Sequence, residues 1–130
     1  MKDSISDMII RIQNASVSKK ESVVFPYSKL RLAILNVLLK EGFIKSFSKK
    51  GKKVVKYIEA VLSYDEEGNP RVSGVKRVSK TSKRIYQKSK ELRSVKNGYG
   101  IAVVSTSKGI MTDKGAKAEN IGGEVLFTMW

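Results

Sequence analysis

In 130 residues there is no cysteine and no histidine. This excludes disulfides, thiolate and imidazole metal sites, and nucleophile pairs of the Ser-His or Cys-His kind. Acidic residues are scarce as well, 12 against 26 Lys and Arg, which leaves a formal charge of +14. Such a surplus repels itself, and a polyanionic partner is its natural explanation; a merely solubilising basic surface is the other one. No apolar run reaches the roughly 18 residues of a membrane span, and the first residues lack the apolar core of a secretion signal. The expectation is a soluble cytoplasmic protein with no membrane partner, no metal and no cofactor. At 41% hydrophobic, the chain has enough apolar content for one respectable core or two small ones.

What is present begins with an amphipathic helix over residues 4–16, where Ile5, Met8, Ile9, Ile12 and Ala15 follow helical spacing. Ser4 with Asp7 matches a capping box. Arg11, Gln13 and Asn14 lie off the apolar stripe, where they serve either as a solvated face or as RNA contacts. Val23 to Pro26 is a brief extended piece. Ser28 is a good N-cap for a second helix running to about Glu41, with Gly42 as its stop. That helix is apolar on more than one side and belongs in the core of the first half. Residues 43–48 and 54–64 suit an antiparallel hairpin. Its tip lies in a stretch, residues 45–56, that holds six lysines and no acid. Lys52, Lys53 and Lys56 there serve either solubility or phosphate contact. Asp65-Glu66-Glu67-Gly68-Asn69-Pro70 is strong punctuation, and a domain boundary is expected near it, giving units 1–66 and 67–130.

Val72 to Val78 reads as a strand weakened by Gly74. Residues 76–96 then carry nine Lys or Arg, among them Lys80 and Arg84, against the single acid Glu91. Hydroxyls are interleaved and Tyr86 stands in the middle, a mixture suited to stacking on nucleotides and holding their phosphates. After a turn at residues 96–100, an apolar strand from Ile101 to Val104 leads into a loop, Ser105-Thr106-Ser107-Lys108-Gly109. A helix starts at Thr112-Asp113 and ends at Gly122-Gly123, and a last strand covers Val125 to Met129. Small hydroxyls and backbone amides beside glycine can approach a sugar edge, a 2′-hydroxyl or a splayed base closely. Lys108 adds a point charge for phosphate, and the start of the helix at Thr112 adds a weak positive end.

Enzymatic alternatives fare poorly. The Gly-x4-Gly-Lys spacing of a phosphate-binding loop is absent, and Gly98-x-Gly100 lacks the rest of a dinucleotide fingerprint. Only Glu91, Asp113, Glu119 and Glu124 remain as carboxylates beyond the acidic punctuation. The expectation is that the chain is not an enzyme.

As a set, several runs closely resemble the bacterial small-subunit ribosomal protein S-eight family. They include Asp7-Met8-Ile9-Ile10-Arg11-Ile12-Gln13-Asn14, Glu41-Gly42-Phe43-Ile44, Arg77-Val78-Ser79-Lys80 and Arg84-Ile85-Tyr86. Ser105-Thr106-Ser107-Lys108-Gly109-Ile110-Met111-Thr112-Asp113, followed by Gly122-Gly123-Glu124, is the most specific of them. The resemblance implies an α/β (α+β) fold of two small domains, a helix-strand-helix-strand-strand unit and a mainly β RNA-binding unit with one short helix. It implies a primary binder of the central domain of 16S rRNA that helps assemble the small-subunit platform, monomeric when free. Expected neighbours are ribosomal proteins S-five and S-twelve. In some bacteria the family also represses the messenger of its own operon. Family RNA contacts fall on Ser105, Thr106, Ser107 and Tyr86, with Gly122, Gly123 and Glu124 shaping the site. This chain departs from the family at Thr81-Ser82, where Pro-Gly is usual, which leaves that loop's path less fixed.

Overall fold

The computed structural model describes residues 3–52 and 54–130. The chain has the mixed α/β architecture expected, with three α-helices and two antiparallel sheets among the described residues. It divides into two compact units. One is Asp7–Ser73; the other is Gly74–Trp130 together with the segment up to Ser6. No described helix is long and apolar enough to cross a membrane.

In the first unit the order is helix α1 (Ser4–Val17), strand β1 (Ser22–Pro26), helix α2 (Lys29–Lys40), strand β2 (Ile44–Gly51) and strand β3 (Lys56–Leu62). The α1 stripe is buried as its spacing requires, with Met8 and Ile12 fully covered. Its cap differs from the expected one. Asp3 rather than Ser4 receives the first free amides, those of Ile5 and Ser6, at 3.1 and 3.2 Å. Asp7 is instead engaged by Arg11 and Arg31. The Ser28 hydroxyl caps α2 by accepting from the Arg31 amide at 3.1 Å. Gly42, at φ +79°, supplies the left-handed residue that follows its end. Ile34, Leu35 and Leu38 are fully buried, each worth about 1.5–3 kcal/mol of transfer free energy. Leu30 and Leu39 stay partly exposed, so α2 is not covered all round.

Strand β3 is central in the order β1-β3-β2. Alternation explains its role: Ile58, Ala60 and Leu62 are buried, while Tyr57, Glu59 and Val61 face the less covered side. β3 is shorter than the 54–64 expected, and β2 is longer, running through Lys49, Lys50 and Gly51. Gly51 pairs with Lys56 at φ +105°, and a Cβ there would collide with the Val55 carbonyl. The Asp65 carboxylate closes the next turn by accepting from the amides of Glu67 and Asn69 at 2.9 and 2.8 Å.

The second unit contains β4 (Val75–Arg77), β5 (Tyr86–Gln87), β6 (Ile101–Thr106), β7 (Gly109–Thr112), α3 (Asp113–Ala118) and β8 (Gly123–Met129). The sheet runs β4-β8-β6-β7, and β5 also pairs with β8. Leu92, Ala102, Val104, Ala116 and Val125 form the core beneath it. Two expectations change here. The stretch after Thr106 is not a loop leading directly into a helix: it turns back at once as β7, Thr106 pairing with Gly109. The helix stop is Asn120, at φ +56°, so Gly122-Gly123 do other work. Gly74 lies under the Trp130 ring, where a Cβ would stand 2.6 Å from ring carbons, and β4 begins only after it.

Candidate nucleic-acid interface

Strand pairing determines which polar side chains can meet. Glu124 on β8 stands directly opposite Ser105 on β6 and Tyr86 on β5. Directly paired residues share a face, so the three form one row across three strands. The next row, Val104 and Val125, points the other way and is buried. Tyr86 is 68% exposed, a stacking surface held at the mouth of this row.

Backbone proximity explains the paired glycines. A Cβ on Gly123 would meet the Ser105 backbone and stand 3.2 Å from Thr106 Cα. A Cβ on Gly122 would stand 2.7 Å from Lys88 Cα and would also meet the Gln87 carbonyl. These two positions therefore let β5 and β6 close on either side of β8. They also floor a shallow depression of about 510 Å³ bordered by Tyr86, Lys88 and Asn120.

At the end of β6, Ser107 and Lys108 are the exposed turn of the hairpin. The Thr106 hydroxyl accepts from the Lys108 amide at 3.1 Å and donates to the Gly109 carbonyl at 2.8 Å. Thr106 thus shapes the turn, while Ser107 is exposed at its tip. Lys108 pairs with Glu119 at 3.1 Å, both side chains more than half exposed, a contact easily exchanged for a phosphate. The end of α3 is less available than its cap suggested. The Thr112 hydroxyl already accepts from the Gly115 amide at 3.0 Å, and the helix has six residues. Asp113 is buried and accepts from the Ala102 amide at 3.1 Å.

The basic segment borders the same row. Arg84 donates to a Glu124 carboxylate oxygen at 3.0 Å, leaving the guanidinium about half exposed. Lys80 and Lys83 exchange backbone hydrogen bonds at 2.9 and 3.0 Å. Thr81 and Ser82 therefore form a closed turn without positive φ where the family usually has Pro-Gly. Sequence reasoning counted Ser79 only among the interleaved hydroxyls of the basic segment; it is completely buried and its hydroxyl donates to Glu124. Its neighbours in sequence are basic and apolar, and nothing local marks it as buried.

The remaining candidates lie in the first unit. Arg11 donates to the Val24 carbonyl at 3.0 Å and pairs with Asp7 at 3.1 Å. With Asn14 it borders a shallow groove that continues to Ser18, Lys20 and Ser22. Lys52 and Lys56 are exposed at the hairpin tip beside Val54, itself 94% exposed; Lys53 lies outside the described residues.

The comparisons agree with one another. A family model described as Ribosomal protein S8 matches residues 3–130. The small ribosomal subunit protein uS8 of Lachnoclostridium phytofermentans is 46% identical over 131 residues, spanning 100% of this chain and 98% of that protein. Its counterpart in Helicobacter pylori is 43% identical over 128 residues, 98% of each chain, and that of Helicobacter acinonychis is likewise 43% identical. With one fold-wide match and relatives this similar over nearly the full length, the chain belongs to the ribosomal protein S8 family.

Proposed function

We propose that this chain is a non-enzymatic constituent of the small ribosomal subunit that binds the central domain of 16S rRNA and helps assemble the platform. Family membership supports the ribosomal role. The observation that carries the RNA reading is the row Tyr86, Glu124 and Ser105, set beside the exposed Ser107 turn. A ring, a carboxylate acceptor and hydroxyls in one row suit an unpaired or splayed-out base in an irregular helix. Arg84 contacts Glu124 of that row, and with Lys80, Lys83 and Lys108 it supplies phosphate contacts. Residues 67–130 are the RNA-binding domain in this reading. Lys52, Lys56, Arg11 and Asn14 of residues 1–66 add secondary contacts, and S-five and S-twelve are neighbours in the cytoplasmic ribosome.

Footprinting the protein alone on 16S rRNA tests the placement. Protection in the central domain is expected, and protection confined to other regions overturns it. Ser107→Ala and Tyr86→Ala should each weaken binding to a central-domain transcript by about 1–3 kcal/mol. Affinity for random duplex RNA should stay nearly unchanged. Equal losses on both RNAs would remove this turn and ring from the specific contact.

A further inference from the structure

We infer that Ser79 is the positioning residue of this interface, the buried hydroxyl that sets Tyr86 and Glu124 in register for a base. The inference rests on the RNA reading above. Ser79 is fully buried, and its amide points between the carbonyls of Val125 and Leu126, at 3.1 and 3.3 Å. Its hydroxyl is used in both directions. It donates to Glu124 Oε2 at 2.5 Å and accepts from the Ile85 amide at 3.2 Å.

The topology explains why one hydroxyl holds such leverage. β4 pairs with the end of β8 and β5 with its beginning; the chain stays bonded to β8 through the amides of Val78 and Ser79, leaves it, and returns at Ile85. Between these points lies the basic turn closed by Lys80 and Lys83. Ser79 bonds across the base of that excursion, and the Ile85 carbonyl then receives the Val125 amide at 3.0 Å. Tyr86 follows immediately. The same Glu124 oxygen that Ser79 holds also accepts from Arg84, so the hydroxyl aligns the ring-bearing strand and the carboxylate together. A buried acceptor and donor used at once have no substitute in water, and removing them releases both partners.

The test compares Ser79→Ala, Glu124→Ala and the double variant for binding to a central-domain 16S transcript, with random duplex RNA as control and thermal unfolding in parallel. Ser79→Ala should raise the Kd for the transcript about tenfold to a hundredfold and leave the control within about twofold. Because Ser79 acts in part through Glu124, the losses of the two single variants should combine to less than their product in the double variant. Multiplying losses, or a transcript Kd unchanged in folded Ser79→Ala, would overturn the assignment. Equal losses on both RNAs would also overturn it, because they mark general damage to the fold. Should Ser79→Ala not fold, Ser79→Cys keeps the volume with a weaker donor. It should then show the same selective loss at smaller size, and equal affinity to the unaltered protein would refute the role. Tyr86→Ala separates the two levels: no effect from it defeats the RNA reading itself, whereas an effect from Tyr86 and none from Ser79 defeats only this inference.

Discussion

Gly123 shows how much a single residue can decide when backbones come close. Two strands, β5 and β6, flank the beginning of β8, and the space for a side chain at this position is already taken by the Ser105 backbone. Gly123→Ala should cost about 1–3 kcal/mol in urea denaturation, because the obstacle is backbone that cannot swing away. Gly42→Ala is the contrasting case, with nothing within 4 Å and only its φ of +79° to strain it. It should cost about 1 kcal/mol. A larger loss at Gly42 than at Gly123 would refute the close-approach account. In the sequence the Gly-Gly pair reads as a helix stop, and the family resemblance adds only that it shapes the site. Its actual role depends on β5 and β6, which are remote from it in sequence. Gly115 is a milder instance: inside α3, a Cβ would sit 3.3 Å from the Thr112 hydroxyl that caps the same helix.

At the scale of the element, the start of α1 depends on a carboxylate. Burial pushes the Asp3 carboxyl upward, but hydrogen bonds from Arg77 and from the Ser6 amide and hydroxyl outweigh it and hold the group at about 2, below its ordinary 3.8. The Arg77 bond is 2.9 Å long. A depressed folded-state pKa contributes stability above the unfolded value and loses it as pH falls through the folded one. The contribution should therefore be full at neutral pH and fade between about pH 4 and pH 2. Asp3→Asn can still cap the helix but cannot pair with Arg77 as an anion, so it should lose about 1–2 kcal/mol at pH 7. The gap from the unaltered protein should close as the solution is acidified from pH 4 to pH 2. A gap that persists at pH 2 would show that the charge is not what matters. Helical periodicity alone located α1, and its apolar stripe is buried as that spacing demands. The identity of the cap was not legible, because Arg77 lies 74 residues away in the chain.

For the whole molecule the governing quantity is the +14 charge. Binding to rRNA should release counterions, so log affinity for the central-domain transcript should fall linearly with log salt. Six to ten phosphate contacts would cost about 10³–10⁵ in affinity between 50 and 200 mM. Replacing Lys52 and Lys56 together by Ala should make that slope shallower by about 1–2. An unchanged slope would assign the hairpin tip to solubility. Lys50 is a poorer probe, since its Nζ lies 2.6 Å from Glu59 and that carboxylate pushes its pKa up.

Composition and periodicity alone determined the charge, the exclusion of cysteine and histidine chemistry, and the order of the helices and most strands, and the motifs that resemble the family stand in the sequence as short runs. Each of these depends on residue type or on neighbours within a few positions, where sterics and the hydrophobic pattern act directly. The β6–β7 hairpin stood at the edge of legibility: two polar residues before Gly109 are a turn signal, yet β7 is only four residues long. Tertiary structure alone decided that Tyr86, Glu124 and Ser105 share one row, that Gly122 and Gly123 make room for it, and that the buried Ser79 holds it. Those residues are separated along the chain, and register between strands is set by long-range pairing and by the burial of the opposite face, which local sequence does not encode.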